Sequence, residues 1–283
     1  MKEIAILTAG GKLAAFEYGQ PSSQTPSLVF IHGWLDNSAS FLSTLAEIHQ
    51  RHPDLHLLAI DLPGHGCSFH KSSDNFYPFH DYIDDLNQVL LYISPNKPVL
   101  IGHSLGALIA SCYSAAFPEK VSGLVQIEGY GPLSESPQNS VSRLRQGVLS
   151  RQRQRRKPSR PLTSFEDALA LRVKANQLPA ELLSPIVKRA TNYDGKQWQW
   201  RHDAKLKCDS LYRMSRPHAE AILAAITCPN LVILGDQGYE RLREESQYVA
   251  NMQQIEVISG GHHCHLQQPK LVAELILGLV NKI

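Results

Sequence analysis

Short unbroken apolar runs alternate along this chain with segments of helical spacing. Ile4–Leu7 and Leu13–Tyr18 flank Gly10-Gly11 and predict a hairpin. Ser27–Ile31 and His56–Ile60 are compact apolar strands, with a helically spaced stretch at Phe41–His49 between them. Tyr82–Ile93 predicts a helix, Pro98–Ile101 a strand, Ala107–Phe117 a helix and Val121–Ile127 a strand. Strands without polar alternation are buried on both faces, so the pattern implies an α/β fold with a mostly parallel sheet and helices on either side.

The rhythm breaks from about Gly131 to His218, where helical patches such as Phe165–Asn176, behind a Ser164 cap, occur without a buried-strand pattern. It resumes with Asn230–Leu234 as strand, Glu240–Ala250 as helix, Ile255–Ser259 as strand and Lys270–Val280 as closing helix. The economical reading is one core, residues 1–131 and 219–283, with a helical cap, residues 132–218, inserted after the sixth strand.

Composition narrows the setting. At 283 residues with 43% hydrophobic and 19% charged positions, the chain suits a globular protein with one large core. No export signal and no run of about 20 apolar residues is evident, so a cytoplasmic protein without a membrane span is expected. The five cysteines (Cys67, Cys112, Cys208, Cys228, Cys264) form no C-x-x-C pair and are expected as free thiols. Net charge is +2, yet residues 143–160 hold eight Lys/Arg and no acid. That tract is expected to be a solvated cap surface. A site for an acidic or phosphorylated substrate group is a second reading. Nucleic-acid contact is a third, disfavoured by the absence of any binding motif.

The chemistry concentrates at Gly102-His103-Ser104-Leu105-Gly106, which follows a strand and opens a helix. A serine on a sharp strand-to-helix turn needs small flanking residues so that backbones can pass, and the helix start aims N–H groups at developing negative charge. Serine is a weak nucleophile without a base. The segment after the last strand, Gly260-Gly261-His262-His263-Cys264-His265, supplies three histidines. His262, directly after the glycine pair, is the expected base, and His265 a packing histidine at the start of the closing helix. A metal is set aside because no second ligand group lies near this cluster in the sequence, and no cofactor is expected. Backbone N–H groups of Leu105 and Trp34 are the expected oxyanion donors.

His32-Gly33-Trp34-Leu35-Asp36-Asn37-Ser38-Ala39-Ser40-Phe41, Asp61-Leu62-Pro63-Gly64-His65-Gly66, the Ser104 pentapeptide, Trp200-Arg201-His202-Asp203 and Gly261-His262-His263 resemble the serine hydrolase-like family of capped α/β-hydrolases. The resemblance spans nearly the whole chain. It implies an α/β-hydrolase fold and an esterase-type serine hydrolase acting on a small acyl substrate; it names no substrate and no oligomeric state. Asp61 is expected to hold its loop.

The triad acid is less regular. In the commonest pattern it stands three residues past the glycine ending the strand after the cap, but here that position is Gly238, and Asp236 is nearer. Glu128 ends the strand after the nucleophile helix. The chain is similar in architecture to haloalkane dehalogenases, some of which place their acid on this strand and have glycine at the usual position. Glu128 is preferred, with Asp236 as alternative. Dehalogenase and epoxide hydrolase chemistry would need a carboxylate nucleophile, against Ser104. Carbon–carbon bond hydrolysis by the same triad, a slow-turnover ligand-binding sensor and a catalytically dead interaction protein are the other readings.

Overall fold

The computed structural model describes residues 1–93, 97–156, 161–246 and 254–283. Strands β1 (Lys2–Thr8) and β2 (Gly11–Tyr18) form the expected hairpin. They are followed by β3 (Leu28–Ile31), α1 (Leu42–Arg51), β4 (Leu57–Ile60), α2 (Asp81–Ile93), β5 (Val99–His103), α3 (Leu105–Ala116) and β6 (Gly123–Ile127). After an excursion come β9 (Asn230–Gly235), α8 (Glu240–Ser246), β10 (Gln254–Ile258), the one-turn α9 (Cys264–Gln267) and α10 (Pro269–Val280). The last residues of the helix expected over Glu240–Ala250 lie outside the described residues.

These eight strands make one sheet in the order β1-β2-β4-β3-β5-β6-β9-β10, antiparallel between β1 and β2 and between β2 and β4, and parallel elsewhere. The continuous apolar runs follow from burial on two faces. Val29, Ile31, Leu58, Ile60, Leu100 and Leu124 face a core completed by Leu86 and Val89 of α2 and Ile109 and Tyr113 of α3. Their neighbours Leu28, Phe30, Leu57, Ala59, Val99, Ile101 and Val125 face Leu45 and Ile48 of α1 and Val272 and Ile276 of α10. Period-two side-chain alternation thus sends successive apolar residues into two different cores. Edge strand β10 alternates instead, with Ile255 and Val257 partly exposed.

The excursion holds α4 (Ser140–Arg156), α5 (Phe165–Asn176), α6 (Ala180–Ala190), a hairpin of β7 (Thr191–Tyr193) and β8 (Trp198–Trp200), and α7 (Arg216–Ala224). The hairpin differs from the all-helical expectation; three-residue, half-exposed strands leave no apolar run to read. Trp198 and Trp200 pack against Leu162, Ala168 and Val187, so they serve the excursion's own small core. A boundary between 218 and 219 falls inside α7, whose Leu223 joins the main core under the sheet. Among the described residues no helix is long and apolar enough to cross a membrane.

Candidate active site

At the carboxyl end of β5 the chain reverses into α3 through Ser104, at φ 49° and ψ −115°. A non-glycine residue there stores roughly 1–3 kcal/mol of backbone strain. Its neighbours explain why it is held: Ser104 N–H donates to Ile127 O at 2.8 Å, while a Cβ on Gly106 would meet Ile31 O at 1.9 Å and one on Gly102 would meet the Gly106 backbone at 2.4 Å. Gly33 is tight for the same reason, since a Cβ there would lie 3.3 Å from Ser104 Cβ. The loop carrying Trp34 therefore abuts the serine, and Leu105 N–H sits at the first turn of α3.

His262, on the loop after β10, places its ring with Nδ1 3.1 Å from Glu128 Oε2. Glu128 follows β6 at φ 51°, buried, with its N–H donating to Ile233 O at 2.9 Å. Its carboxylate also accepts from Gly235 N–H (2.7 Å) and Tyr239 N–H (3.2 Å). A Cβ at position 238 would stand 2.2 Å from Glu128 Oε1. The Glu128 carboxylate thus fills the space that a side chain at the commoner acid position would need.

Asp236 does something else. Its Oδ1 accepts from Gly260 N–H at 2.9 Å and its N–H donates to Ile258 O at 2.8 Å, pinning the turn that leads to His262. The structure brings Ser104, His262 and Glu128 to one edge of the sheet and turns Asp236 to the backbone beside them.

Surrounding loops are tied down by buried polar groups. Asp61 accepts from Ser38 N–H, Cys67 N–H and Arg189 Nε, joining two loops to α6. His32 donates from Nδ1 to Gly33 O and accepts Leu62 N–H at Nε2; burial pushes it down to about 4, so it is neutral near pH 7. Asp203 of the Trp-Arg-His-Asp stretch accepts from Tyr77 Oη at 2.7 Å and its N–H donates to Gly64 O, docking the excursion on the Pro-Gly-His-Gly turn. Trp34 is half exposed and donates from Nε1 to Leu206 O across the same seam.

In the basic tract, Arg143 is paired with Glu135, and Arg151 and Arg155 stack over Phe76 at 4.7 and 4.9 Å. Three arginines of the tract thus have partners within the fold; Lys157 and Arg160 lie outside the described residues. His265 packs in α9 rather than in the closing helix, its ring 4.2 Å from that of His103.

Two residues escaped the sequence reading. Tyr239 donates to the acid and sets its ring 4.4 Å from that of His262. His103 holds the carbonyl of His262, with Nε2 2.8 Å from that oxygen. The signal for His103 lay inside the Gly-His-Ser motif, where it reads as a spacer.

The alpha/beta hydrolase fold family model matches residues 26–266. A serine hydrolase-like protein of Danio rerio is 25% identical, over 94% of this chain and 84% of that protein. An esterase of Mycobacterium tuberculosis is 24% identical, over 96% of this chain and 87% of its own length. The crystal structure of a hypothetical protein of Pseudomonas aeruginosa superposes with a TM-score of 0.89 at 25% identity, covering 99% of each chain.

Proposed function

We propose that this chain, which belongs to the alpha/beta hydrolase fold family, is a serine hydrolase that cleaves carboxylic esters or related acyl substrates through Ser104, His262 and Glu128. One observation carries the reading: the Glu128 carboxylate occupies the space beside Gly238 and meets His262 Nδ1 at 3.1 Å. A carboxylate only accepts, so Nδ1 carries the proton and Nε2 is the free base. The serine hydrolase-like and esterase relatives support the same class.

His262 Nε2 takes the Ser104 hydroxyl proton as the oxygen attacks the substrate carbonyl. Negative charge on the carbonyl oxygen is met by N–H groups of Leu105 and Trp34, the former at a helix start. The imidazolium, steadied by Glu128, then protonates the departing alkoxide. Water activated by His262 cleaves the acyl-enzyme and frees Ser104. Glu128 also accepts two backbone N–H groups, which hold its carboxylate in place while the proton moves. Residues 132–218 act as a cap over this edge, anchored through Asp203 and the Trp34 ring, and a small molecule binds beneath it.

Fluorophosphonate labelling tests the assignment. Labelling should vanish in Ser104→Ala, slow sharply in Glu128→Gln and persist in Asp236→Asn. Full labelling of Glu128→Gln with slowing in Asp236→Asn would move the acid to β9. An unlabelled wild type would defeat the serine hydrolase reading.

A further inference from the structure

Beneath the candidate triad three buried side chains converge from distant parts of the chain: Asp36 after β3, His103 before the nucleophile and His263 after the base. Asp36 Oδ2, His103 Nδ1 and His263 Nε2 lie within 4.8 Å of one another. His263 Nε2 stands 3.1 Å, and His103 Nδ1 3.9 Å, from the same carboxylate oxygen.

Proton bookkeeping leaves one buried acceptor of this cluster without a donor. His103 Nε2 faces the carbonyl oxygen of His262, which can only accept, so the His103 proton is on Nε2. Its Nδ1 therefore presents a lone pair, and that atom, fully buried, has no hydrogen-bond partner. Asp36 Oδ2, which accepts from His263 Nε2 at 3.1 Å, stands 3.9 Å from that lone pair, with no donor between the two. Arg172 does not fill that gap, because its guanidinium is bonded to the other carboxylate oxygen, Oδ1.

The third member can also offer a lone pair. Asn176 of α5 lies against the His263 ring, its amide nitrogen 3.4 Å from Nδ1 and 3.4 Å from Nε2 alike, so it imposes neither tautomer. With its proton on Nδ1, His263 turns a bare Nε2 toward Asp36.

We propose that Asp36, His103 and His263 bind one divalent transition-metal ion of the Zn²⁺ class. Two imidazoles and one carboxylate suit Zn²⁺ and its neighbours rather than Mg²⁺ or Ca²⁺. Bonds of about 2.0–2.2 Å hold tetrahedral ligand atoms roughly 3.4 Å apart, so a pair at the full 4.8 Å closes by about 1.4 Å on binding, while His263 Nε2 and Asp36 Oδ2 already stand 3.1 Å apart. The ion would grip residues adjacent in sequence to both Ser104 and His262, locking the elbow to the base loop. Local sequence could not reveal the set, since Asp36 and His263 are 227 positions apart.

Co²⁺ is the probe, because its absorption in an imidazole-carboxylate site reports binding without turnover; the site is thereby separable from the proposed hydrolase activity. Tag-free protein should give one saturable visible band at one Co²⁺ per chain, displaced by Zn²⁺. His263→Gln and His103→Gln should each abolish it, and His218→Gln, on the surface of α7, should leave it unchanged. No band, or a band that survives His263→Gln, overturns the proposal and leaves the gap to a water molecule. Should His263→Gln fail to fold, His103→Gln decides; unaltered Co²⁺ affinity there is equally fatal.

Discussion

At the other end of the sheet, Ser27, His56 and Glu17 form a relay bonded as well as the one proposed for catalysis. Ser27 Oγ lies 2.8 Å from His56 Nδ1, and His56 Nε2 lies 3.0 Å from Glu17 Oε1. Residue types match those of Ser104, His262 and Glu128; only the tautomer is mirrored. The surroundings differ in every respect that matters for chemistry. Ser27, His56 and Glu17 are each at most 1% exposed, whereas the His262 side chain keeps 23% of its surface. Ser27 leads into a strand in ordinary backbone geometry, while Ser104 sits strained at a helix start with N–H groups beside it. A serine–histidine–acid chain is therefore a common way to satisfy buried polar groups. It becomes a nucleophile when strain, access and oxyanion donors are added.

The comparison breaks most decisively by exchanging equivalent members. Glu128→Gln should lower ester turnover roughly 10³–10⁴-fold by losing the acceptor that fixes the His262 tautomer, and also cost about 1–3 kcal/mol of stability, because its amide nitrogen faces an N–H that the carboxylate accepted. Ser27→Ala should leave turnover per folded molecule unaltered and cost about 1–3 kcal/mol of stability, because His56 Nδ1 loses its buried donor. Steady-state kinetics and urea unfolding on the two variants read both effects. Matching losses of activity would show that the sealed relay also serves the reaction.

A smaller effect sharpens the catalytic side alone. Gly238→Ala puts a methyl where Glu128 Oε1 now stands, 2.2 Å away, so the carboxylate must retreat from His262. A displacement near 1 Å costs on the order of 10²-fold in rate. The loss should fall on kcat with KM nearly constant, since position 238 lies behind the acid. Wild-type turnover in Gly238→Ala would mean that Glu128 is not held where the proton relay needs it.

How much of this was legible in the sequence depended on whether a constraint is local. The parallel strands were readable because burial on both faces leaves Leu28–Ile31 and Leu57–Ile60 without polar positions. The elbow was readable because Gly102 answers to the backbone of Gly106 and Ala107 within the motif itself, although Gly106 answers to Ile31 on another strand. The acid was readable only as a choice: both Glu128 and Asp236 end strands, and the backbone of Gly235, Tyr239 and Gly260 decides which one turns to His262. The β7–β8 hairpin, the His103 bond to the base loop and the Asp36 cluster depend on chain segments brought together by the fold, and no short-range spacing encodes them.

The finest distinction between the two relays is their response to acid. Burial lowers His56 below the usual histidine value, against the opposing pull of Glu17. The same cause pushes His32 to about 4 and His65, His202 and His265 to about 3. In the unfolded chain each of these takes up a proton near pH 6.5, while in the folded chain it does so only at lower pH. Between those limits the unfolded state binds more protons, so stability falls as pH drops below about 6.5 and is fully present above it. Each histidine contributes at most about 1.4 kcal/mol per pH unit. Several acting together consume a typical stability of about 5–15 kcal/mol within a few pH units, so cooperative unfolding is expected between about pH 6 and 4. Replacing His56 by Asn should flatten the dependence of the urea midpoint on pH by up to one proton's worth, since that position then no longer titrates. An unchanged slope in His56→Asn would mean that His56 stays charged in its pairing with Glu17, and the sealed relay would then be an ion pair.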